Sequence, residues 1–343
     1  MTWWTPERFA ARRGFLEQRT AIVTAIRAFF SRRGFLEVET PVLQVSPGLD
    51  PHIAVFATEL IEPFAQDKRP LYLHTSPEFA MKKLLAAKLP RIFQIARVYR
   101  NGERSPLHHP EFTLLEWYRA ESNYLFLMDD CENLLREVIL HSNYSTFQWM
   151  GRQCDPHQPW ERLSVADAFT ELATIDLLAT LTDPLDPDPT PLAAAAHLTL
   201  HPAERWEDVF FRIMLERIEP HLGYGKPLIL YDYPTPLASL ASSKTDDKRL
   251  AERFEVYVCG VELANGYSEL TDVAVQRARF RRDTAVRKQL YGTALPVDED
   301  FLNALTHMPP AAGIALGLDR LIMLAVWADD IQDVLWAPVA MAT

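Results

Sequence analysis

Residues 91–118, RIFQIARVYRNGERSPLHHPEFTLLEWY, contain two apolar segments separated by a polar loop. Residues 91–100 have the composition of a buried strand, and a second strand is expected to begin at residue 111. The loop between them carries glycine and proline, which favour turns between strands. This stretch therefore predicts an antiparallel pair of strands.

The second strand carries an unusual mixture of side chains on one face. Because side chains alternate between the faces of a strand, Phe112, Glu116 and Tyr118 share a face with Leu114. The first strand ends in Arg100, and the loop adds Arg104, His108 and His109. One interpretation is a half-solvated face. The other is a nucleotide site, with arginine on phosphate, loop groups on the base edge and Phe112 stacked on the ring.

A second segment, RFEVYVCGVELANGYSEL at residues 253–270, places glutamates among apolar residues. A tight turn at Cys259–Gly260 would pair Tyr257 with Glu262. Glu255 and Glu262 would then share a face and lie close enough to share a cation. Because Mg²⁺ takes one or two carboxylates plus substrate phosphates, this pair is a candidate metal site.

Another set in the same segment, Asn265, Tyr267 and Glu269, also shares a face by the period of two. A simple hairpin register places this set on the opposite face from Glu262. A β-bulge near Asn265–Gly266 is therefore required to bring both sets to one surface.

The segment GIALGLDRLIML, residues 313–324, predicts a glycine-rich strand followed by an apolar helix. Glycine lets the backbone approach a ligand closely, and Arg320 in the first helical turn could reach a phosphate. A tightly packed core strand would show the same pattern, so both interpretations stay open.

The N-terminal part of the chain predicts two helices and a short strand. Apolar residues at helical spacing predict a long helix over residues 12–33, followed by Gly34 as a stop signal. Residues 71–74 form a strand candidate. Ser76 then caps a helix with Pro77 at its first position and Glu78 next, and this helix runs to about Lys88.

The remaining elements complete an α+β pattern. Residues 120–225 are expected to form a mostly helical insertion, and strands return at 227–232 and 253–270. A further helix is expected near residues 272–290. Strands at both ends of the chain with helices between them favour an antiparallel sheet over alternating β-α-β units.

Composition limits the class of protein. The chain has 343 residues, of which 48% are hydrophobic and 24% charged, as in globular proteins. No apolar run is long enough to span a bilayer and the first residues lack a signal-peptide pattern, so we expect no membrane association. Three scattered cysteines indicate neither a disulfide framework nor a zinc site, and they fit a reducing, cytoplasmic setting.

The net charge of −11 argues against a long phosphate-binding surface. A basic run lies between residues 277 and 288. It predicts either a local basic patch or, as we favour, the solvated face of a helix.

These segments, in this order, resemble the three signature motifs of class II aminoacyl-tRNA synthetases. Residues 33–41 (RGFLEVETP) resemble motif 1, residues 91–118 resemble motif 2, and residues 309–325 (PPAAGIALGLDRLIMLA) resemble motif 3. The stretches TSPEFAMKKLL, HPEFTLLEWY and VELANGYSELTD are similar to those of lysyl-tRNA synthetases. The resemblance covers nearly the whole chain and implies the class II catalytic domain, an antiparallel sheet flanked by helices.

Lysyl-tRNA synthetases carry an additional N-terminal barrel that reads the anticodon. Here the motif 1 helix begins within about 15 residues of the N-terminus, so we expect one catalytic domain over residues 1–343 and no anticodon-binding domain. This truncated form resembles the elongation factor P–β-lysine ligase family, which joins (R)-β-lysine to a lysine of elongation factor P. The resemblance implies ATP and Mg²⁺ as cofactors, elongation factor P and (R)-β-lysine as partners, no tRNA, and a homodimer.

The resemblance also implies roles for individual residues. Arg100 and Arg320 would be catalytic. The ATP site would contain Arg100, Asn101, Gly102, Glu103, His108, His109, Phe112, Glu262, Leu263, Gly317 and Arg320. The amino-acid site would contain Ser76, Pro77, Glu78, Glu116, Tyr118, Asn265, Glu269 and Ala315. Mg²⁺ would be held by Glu255 and Glu262.

Three positions depart from the family patterns. Residues 100–103 are Arg-Asn-Gly-Glu where the family has Arg-Asn-Glu, so the carboxylate expected at the adenine amino group, Glu103, stands one place late. His109 replaces an asparagine and could still donate a hydrogen bond. Ala315 stands where lysyl-tRNA synthetases have glycine. The ligase family also has alanine there, which favours β-lysine over α-lysine.

The implied reaction has two steps, formation of an aminoacyl adenylate and transfer to a lysine ε-amine of the partner protein. Two alternatives stay open. One is a stand-alone aminoacyl ligase that acts on tRNA or a small amine. The other is a non-catalytic regulator that binds only nucleotide or a partner.

Overall fold

A computed structural model describes residues 3–64 and 68–339 of the chain. Within these residues the chain forms thirteen strands, several of them separated along the sequence by helices. They are β1 (Leu36–Glu37), β2 (Leu43–Gln44), β3 (Phe56–Ile61), β4 (Lys68–Leu73), β5 (Arg91–Tyr99), β6 (Glu111–Ala120), β7 (Phe147–Trp149), β8 (Arg152–Cys154), β9 (Glu161–Ser164), β10 (Leu228–Pro234), β11 (Leu250–Val258), β12 (Val261–Ser268) and β13 (Ala311–Gly317).

Helices flank these strands, and several begin at an Asp, Asn or Ser whose side chain accepts a hydrogen bond from the first helical turn. They are α1 (Pro6–Arg32), α2 (Glu78–Ala86), α3 (Tyr124–Ile139), α4 (Val165–Ala168), α5 (Leu177–Thr180), α6 (Pro189–Ala195), α7 (Trp206–Ile213), α8 (Val273–Tyr291), α9 (Glu299–Leu305) and α10 (Leu318–Ala325).

Eight strands form one large sheet in the order β1-β5-β6-β13-β12-β11-β10-β9. The six central strands, β5-β6-β13-β12-β11-β10, pair antiparallel. The edge strands β1 and β9 pair parallel with their neighbours. The predicted antiparallel sheet flanked by helices is confirmed. The hairpin expected over residues 91–118 is the β5–β6 pair, with Ile95 opposite Leu115.

One face of this sheet is buried under helices. Phe93, Trp117 and Leu316 are fully buried and pack with apolar side chains of α1, α3 and α10. Phe30 of α1 stacks on Phe93, with ring centroids 4.8 Å apart. Because neighbouring residues point to opposite faces, Glu116 and Ala315 turn away from this core toward a cleft.

Several element boundaries differ from the predictions. The first helix begins at Pro6 rather than residue 12, and the strand predicted at 71–74 starts at Lys68 and belongs to a separate sheet of β2, β4 and β3. The helix after Ser76 ends at Ala86, and Lys88 has a positive φ of 71°. Helices α3 to α7 fall within residues 120–225, but β7, β8 and β9 interrupt them and β9 extends the large sheet.

The turn between β11 and β12 sets the register of the cleft. Cys259 and Gly260 both have positive φ, and Tyr257 lies opposite Glu262 as predicted. Val256 then pairs with Ala264, which leaves Leu263 as an extra residue. The required β-bulge is therefore at Leu263, before the predicted position at Asn265–Gly266.

The basic run of α8 is neither an open basic patch nor a freely solvated face. Arg277 pairs with Glu299, and Arg282 pairs with Glu207. Two of the remaining three arginines fasten loops to the helix: Arg279 donates to the carbonyls of Ser239 and Ala241, and Arg287 donates to that of Ile53. Most of this positive charge is therefore used within the fold.

Among the described residues, no helix combines the length and apolar character required to cross a membrane. The three cysteines, Cys131, Cys154 and Cys259, are buried free thiols.

A buried ion pair joins α1, β6 and α10 beside the cleft. The Arg19 guanidinium lies 2.6 Å from the Asp319 carboxylate, and both side chains are almost wholly buried. The other Asp319 oxygen accepts a hydrogen bond from the Thr113 amide at 2.6 Å. Since breaking one partner of a buried pair leaves an uncompensated charge, this contact should matter to stability.

Replacing Arg19 with Met should lower the free energy of unfolding by about 3–5 kcal/mol, because Asp319 would stay buried without its cation. Urea unfolding at neutral pH measures this. Arg13→Met is the matched control, since Arg13 lies on the same helix and pairs with Glu17 at the exposed surface. Exposed pairs contribute little. Equal destabilisation by the two changes would contradict the assigned role of the buried pair.

Candidate active site

Two rows of side chains form the floor of a cleft on the sheet face away from the core. The strand register aligns one row across β11, β12, β13 and β6 as Glu255, Asn265, Ala315 and Glu116. It aligns the next row as Arg253, Tyr267, Gly313 and Tyr118. A cavity of about 420 Å³ lies over this floor. That volume suits a small-molecule ligand.

One end of the cavity is acidic. Glu116 is fully buried and accepts hydrogen bonds from Ser76 Oγ at 2.6 Å and from the Tyr118 hydroxyl at 2.9 Å. Ser76 Oγ also accepts a hydrogen bond from the Glu78 amide at 3.0 Å. Burial, and then the negative charge of Glu78, raise the pKa of Glu116 to about 8. A carboxylate in this state favours a bound cation, which would restore its ordinary ionisation.

A lysine lies behind this acidic wall. Lys82 Nζ lies 2.5 Å from Glu78 Oε1 and also contacts Glu269. The Tyr267 hydroxyl donates a hydrogen bond to Glu78. Glu269 is fully buried, and burial is the largest cause that raises its pKa to about 8, against the opposing effect of Lys82. Glu78 is thus held from two sides.

Gly313 is required where these groups meet. A Cβ at this position would overlap both the Tyr118 ring and the Glu269 carboxylate. Gly313 and Tyr118 both line the cavity. The Tyr118 ring and the Glu269 carboxylate therefore cover the same side of Gly313 and leave no room for a side chain.

The other end of the cavity is positively charged. Arg100 lies at the end of β5 with its guanidinium 5.2 Å from the centre of the Phe112 ring. Its Nε is buried without a hydrogen-bond partner among the described residues. Buried donors are normally paired, so this orphaned group indicates a position for an anionic ligand.

Arg320 is held above the same end by three contacts. Its guanidinium donates to the backbone oxygens of Glu262 at 2.7 Å and Leu107 at 3.2 Å. It also donates to His108 Nε2 at 2.8 Å, which assigns the ring proton of His108 to Nδ1, beside Ser105 Oγ. Burial, followed by the positive charge of Arg320, lowers the pKa of His108. The arginine is thus oriented before any ligand binds.

Two carboxylates lie at the side of the cavity near Arg320. Glu255 accepts hydrogen bonds from Tyr233 at 2.5 Å, Tyr257 at 2.8 Å and Arg253 at 2.7 Å. Glu262 lines the open part of the cavity. Desolvation by the surrounding protein, and then the charge of Glu255, raise the pKa of Glu262, although part of its side chain is exposed to solvent. The two carboxylates therefore lie close enough to repel each other.

The residues fit a divalent ion that is shared with phosphates, and not one held by protein alone. No cluster of three or more His, Cys, Asp or Glu side chains suited to a metal occurs in residues 3–64 and 68–339. The hard oxygens of Glu255 and Glu262 match the chemistry of Mg²⁺, which commonly takes one or two carboxylates. Relief of their mutual repulsion would favour binding.

Sequence comparison places this geometry in a known group. Residues 7–340 match the class II tRNA synthetases (D, K and N). The chain belongs to the class II tRNA synthetase family. Its relatives include a protein from Yersinia enterocolitica named elongation factor P–(R)-β-lysine ligase, which is 41% identical over 95% of both chains.

Two further relatives of this class II synthetase chain carry the same name. The protein from Proteus mirabilis is 41% identical over 99% of this chain and 98% of its own. The protein from Hamiltonella defensa is 40% identical over 95% of each. The predicted resemblance to these ligases is therefore confirmed along nearly the full length.

Most of the residues predicted for the class II site line the cavity. They are Ser76, Glu78, Arg100, Glu103, His108, His109, Phe112, Glu116, Tyr118, Glu262, Leu263, Asn265, Ala315, Gly317 and Arg320. Five predicted residues lie outside the cavity wall: Pro77, Asn101, Gly102, Glu255 and Glu269.

In the motif 2 loop, Glu103 reaches the cavity, one position later than the family pattern Arg-Asn-Glu predicts. Gly102 has a φ of 76°, a conformation that glycine adopts without strain. Asn101 is exposed; its amide donates a hydrogen bond to the Ala54 carbonyl, and its side-chain oxygen accepts one from the Gly102 amide. Glu103 lines the cavity. The extra glycine thus brings the carboxylate to the positively charged end of the cavity, near His108 and Arg320.

The ring of His109 forms hydrogen bonds within the protein. Its Nδ1 lies 2.5 Å from the Glu111 carbonyl, and its Nε2 accepts a hydrogen bond from the Val339 amide at 3.2 Å. Both ring nitrogens are therefore used within the protein. The hydrogen bond expected from His109 is made to the Glu111 carbonyl, and a contact between His109 and a ligand stays a prediction.

Sequence reasoning missed several residues of the site. Lys82 lies in the segment TSPEFAMKKLL, and its spacing of four residues from Glu78 on one helix is the signal that predicts their contact. Arg253 bonds Asn265 Oδ1 at 3.2 Å and so fixes that amide. Asp283 of α8 also lines the cavity, and burial, followed by repulsion from Asp50, raises its pKa to about 7. No local pattern marked Asp283.

The contribution of Glu116 to stability should be lost as pH rises from about 5 to about 8. Because its folded-state pKa is raised, this carboxyl binds more protons in the folded protein than in the unfolded chain over that range. Glu116→Gln cannot titrate there, so its stability should fall less, or rise more, with pH than that of the wild type. Thermal melting across this range measures the slopes. Glu59→Gln, at an exposed ion pair with Lys68, is the control, and identical slopes for Glu116→Gln and the wild type would contradict the assignment.

Proposed function

We propose that this protein uses ATP to activate (R)-β-lysine as an aminoacyl adenylate and transfers it to a lysine ε-amine of elongation factor P. The proposal rests on a single cavity whose two ends carry side chains of opposite charge. The orphaned Arg100 marks an anionic position, and the Glu78–Glu116 wall marks a cationic one. The names of its relatives supply the substrate and the acceptor.

ATP would bind at the positive end. Phe112 offers a ring face for stacking, and Arg320 would cover the opposite side of the adenine and reach the phosphates. Glu103, rather than Asn101 or Gly102, would accept from the adenine amino group. The backbones of Leu263 and Gly317 would lie alongside the nucleotide, since a Cβ at Gly317 would approach only Arg320.

The amino acid would bind with its ammonium groups at the acidic end. Its carboxylate then points toward Arg100. An analogue that lacks an ammonium group would leave buried carboxylates unpaired, which is a strong basis for rejection. Ala315 lies between Asn265 and Glu116 in the floor, so its methyl group limits how the chain of the substrate can lie. This position supports β-lysine over α-lysine.

In the first step, a carboxylate oxygen attacks the α-phosphorus, a new C–O–P linkage forms, and pyrophosphate leaves. Arg100 would stabilise the negative charge at the α-phosphate, and the cavity would align the reacting atoms. Glu255 and Glu262 would hold Mg²⁺, which neutralises phosphate charge when bound.

In the second step, the neutral ε-amine of the acceptor lysine attacks the carbonyl carbon of the adenylate. An amide bond forms, AMP leaves, and the amine releases a proton to solvent. No side chain of this protein forms a covalent intermediate.

We also propose a homodimer in a reducing, cytoplasmic setting. Apolar side chains on the edge strands of both sheets, Leu36 of β1 and Leu43 of β2, are exposed and could be covered by a second copy. The three free, buried cysteines support a reducing compartment. Sedimentation at several concentrations tests the dimer, and a monomer at all of them would overturn it.

The decisive experiment measures both steps with purified components. (R)-β-Lysine should stimulate ATP–pyrophosphate exchange more than α-lysine does. With elongation factor P present, the mass of that protein should rise by one β-lysyl group. Equal stimulation by the two amino acids, or stronger stimulation by α-lysine, would contradict the assignment of β-lysine as the substrate. Charging of tRNA instead would identify the alternative ligase, and absence of any exchange would identify a non-catalytic binder.

Arg100→Ala should abolish β-lysine-dependent exchange, because it removes the guanidinium whose buried, unpaired Nε marks the position proposed for the α-phosphate. Arg104→Ala is the matched control. Arg104 lies in the same loop but is exposed and bonds only the Val339 carbonyl. Near-normal exchange by Arg100→Ala, or equal losses in both variants, would show that the motif 2 roles are misassigned.

A further inference from the structure

The cavity opens to solvent along one side of α8. Asp50 and Ser239 both line the cavity and are exposed, so they lie at this opening. Arg279 of α8 donates a hydrogen bond to the Ser239 carbonyl at 2.9 Å. Arg287, two helical turns later, donates to the carbonyls of Asp50 at 3.4 Å and Ile53 at 2.8 Å. The helix thus fixes the loops on both sides of the opening.

Asp283 lies on α8 between these two arginines. It stands four residues after Arg279 and four before Arg287, and residues spaced by four are neighbours on one face of a helix. Its side chain lines the cavity together with that of Asp50. Two carboxylates, one from α8 and one from the loop before β3, therefore face the same opening.

Asp283 is not paired within the part of the chain that the structure describes. The positive charges that face it belong to arginines that already bond other groups: Arg205, Arg279 and Arg282. Burial, and then the negative charge of Asp50, raise the pKa of Asp283 to about 7 against the opposing effect of these arginines. A cation placed between Asp50 and Asp283 would relieve their repulsion.

A hydroxyl on the same loop as Asp50 also lacks a partner. The side chain of Ser46 lines the cavity and is 3% exposed. Its Oγ has no hydrogen-bond partner among the described residues. Because buried hydroxyls are normally paired, this one indicates a position for a polar group of a ligand. A hydroxyl oxygen accepts hydrogen bonds as carboxylates do, so the three side chains together suit an ammonium group, which only donates.

The acceptor of the second reaction step carries such a group. Glu78 and Glu116 are proposed above to bind the ammonium groups of the amino acid, so a third ammonium needs a further site. A lysine of the acceptor protein must enter from solvent while the adenylate fills the cavity. An opening lined by carboxylates attracts this cation, and it repels the phosphate backbone of a nucleic acid.

We propose that Asp50 and Asp283 form the entrance for the acceptor lysine and bind its ammonium group, with Ser46 accepting a hydrogen bond from it. No covalent bond to carbon or phosphorus changes at this entrance. The ammonium loses one proton to solvent before the neutral amine attacks the adenylate. This inference rests on the proposed function, since it assigns the path of the acceptor in the second step.

Removing either negative charge should weaken binding of the acceptor and spare the first step. In Asp283→Asn and in Asp50→Asn, the KM for elongation factor P should rise about tenfold, because a charged hydrogen-bond acceptor is lost. Exchange of pyrophosphate into ATP with β-lysine needs no acceptor and should change by less than about threefold. Since salt screens exposed charges, added salt should raise this KM more in the wild type than in Asp283→Asn.

Glu299→Gln is the matched control. Glu299 pairs with Arg277 of the same helix at 2.7 Å, but it is exposed and does not line the cavity. The control therefore removes one negative charge beside α8 without changing the entrance, and both assays should match the wild type. Asp283→Glu keeps the charge, so its KM for elongation factor P should lie closer to that of the wild type than the KM of Asp283→Asn does.

The test measures exchange without an acceptor and, separately, the rise in mass of elongation factor P. If a folded Asp283→Asn or Asp50→Asn matches Glu299→Gln in the transfer assay, the inference is overturned while the proposed function stands. Equal losses of exchange and transfer would place the carboxylates at the amino acid or the nucleotide, which also overturns it. Because Asp50 is exposed, Asp50→Asn keeps the test decisive where Asp283→Asn does not fold.

Failure of the proposed function has a different signature. A wild-type protein that shows no exchange with β-lysine, or that exchanges but leaves the mass of elongation factor P unchanged, contradicts that function directly. The inference about the entrance then falls with it, whatever the variants show.

Discussion

One extra residue in β12 determines which side chains reach the cleft. Leu263 has no partner on β11, so the alternation of faces shifts by one residue between Glu262 and Asn265. A shift of one position sends every later side chain to the other face. Without the bulge, Asn265 and Tyr267 would face the apolar core instead of the cleft. The pairing of β12 with β13 then aligns Ala315 with Asn265 across the floor.

The aligned floor concentrates unlike charges at its two ends. At one end, the buried carboxylates Glu78, Glu116 and Glu269 outnumber the cation that pairs with them, Lys82. At the other end, the buried Nε of Arg100 lacks a hydrogen-bond partner. Both arrangements cost stability in the free protein, because buried charged groups need compensation. A ligand that supplies the missing partners recovers this free energy on binding. The fold thus trades stability for selectivity at one place.

Local signals in the sequence predicted the elements that depend on neighbouring residues. The β5–β6 hairpin and the Cys259–Gly260 turn follow from alternation and turn residues, which act over a few positions. The bulge was predicted from the need to bring two sets together, but its place was not, because pairing with β13 helps to select it. The carbonyl partners of Arg279 and Arg287 lie on loops far away in the chain, so the run looked like a solvated helix.

The position of Lys82 was hidden for a similar reason. Two adjacent lysines on a helix resemble a solvated face, and only the fold shows that one points to Glu269 and the other to Asp298. The predicted contact of Glu269 with the substrate stays a prediction. Its carboxylate lies against Gly313 of the cavity floor, a position that no local pattern in the sequence specifies.

The opposed ends also explain how binding can become activation. A diamino acid satisfies the cavity in one orientation, with its ammonium groups at Glu78 and Glu116 and its carboxylate toward Arg100. The same arginine is where an α-phosphate would be held, so correct binding delivers the nucleophilic oxygen to the phosphorus. Alignment of this kind can supply a large part of a rate enhancement without a reactive side chain. Recognition of the substrate and chemistry upon it therefore arise from one distribution of charge.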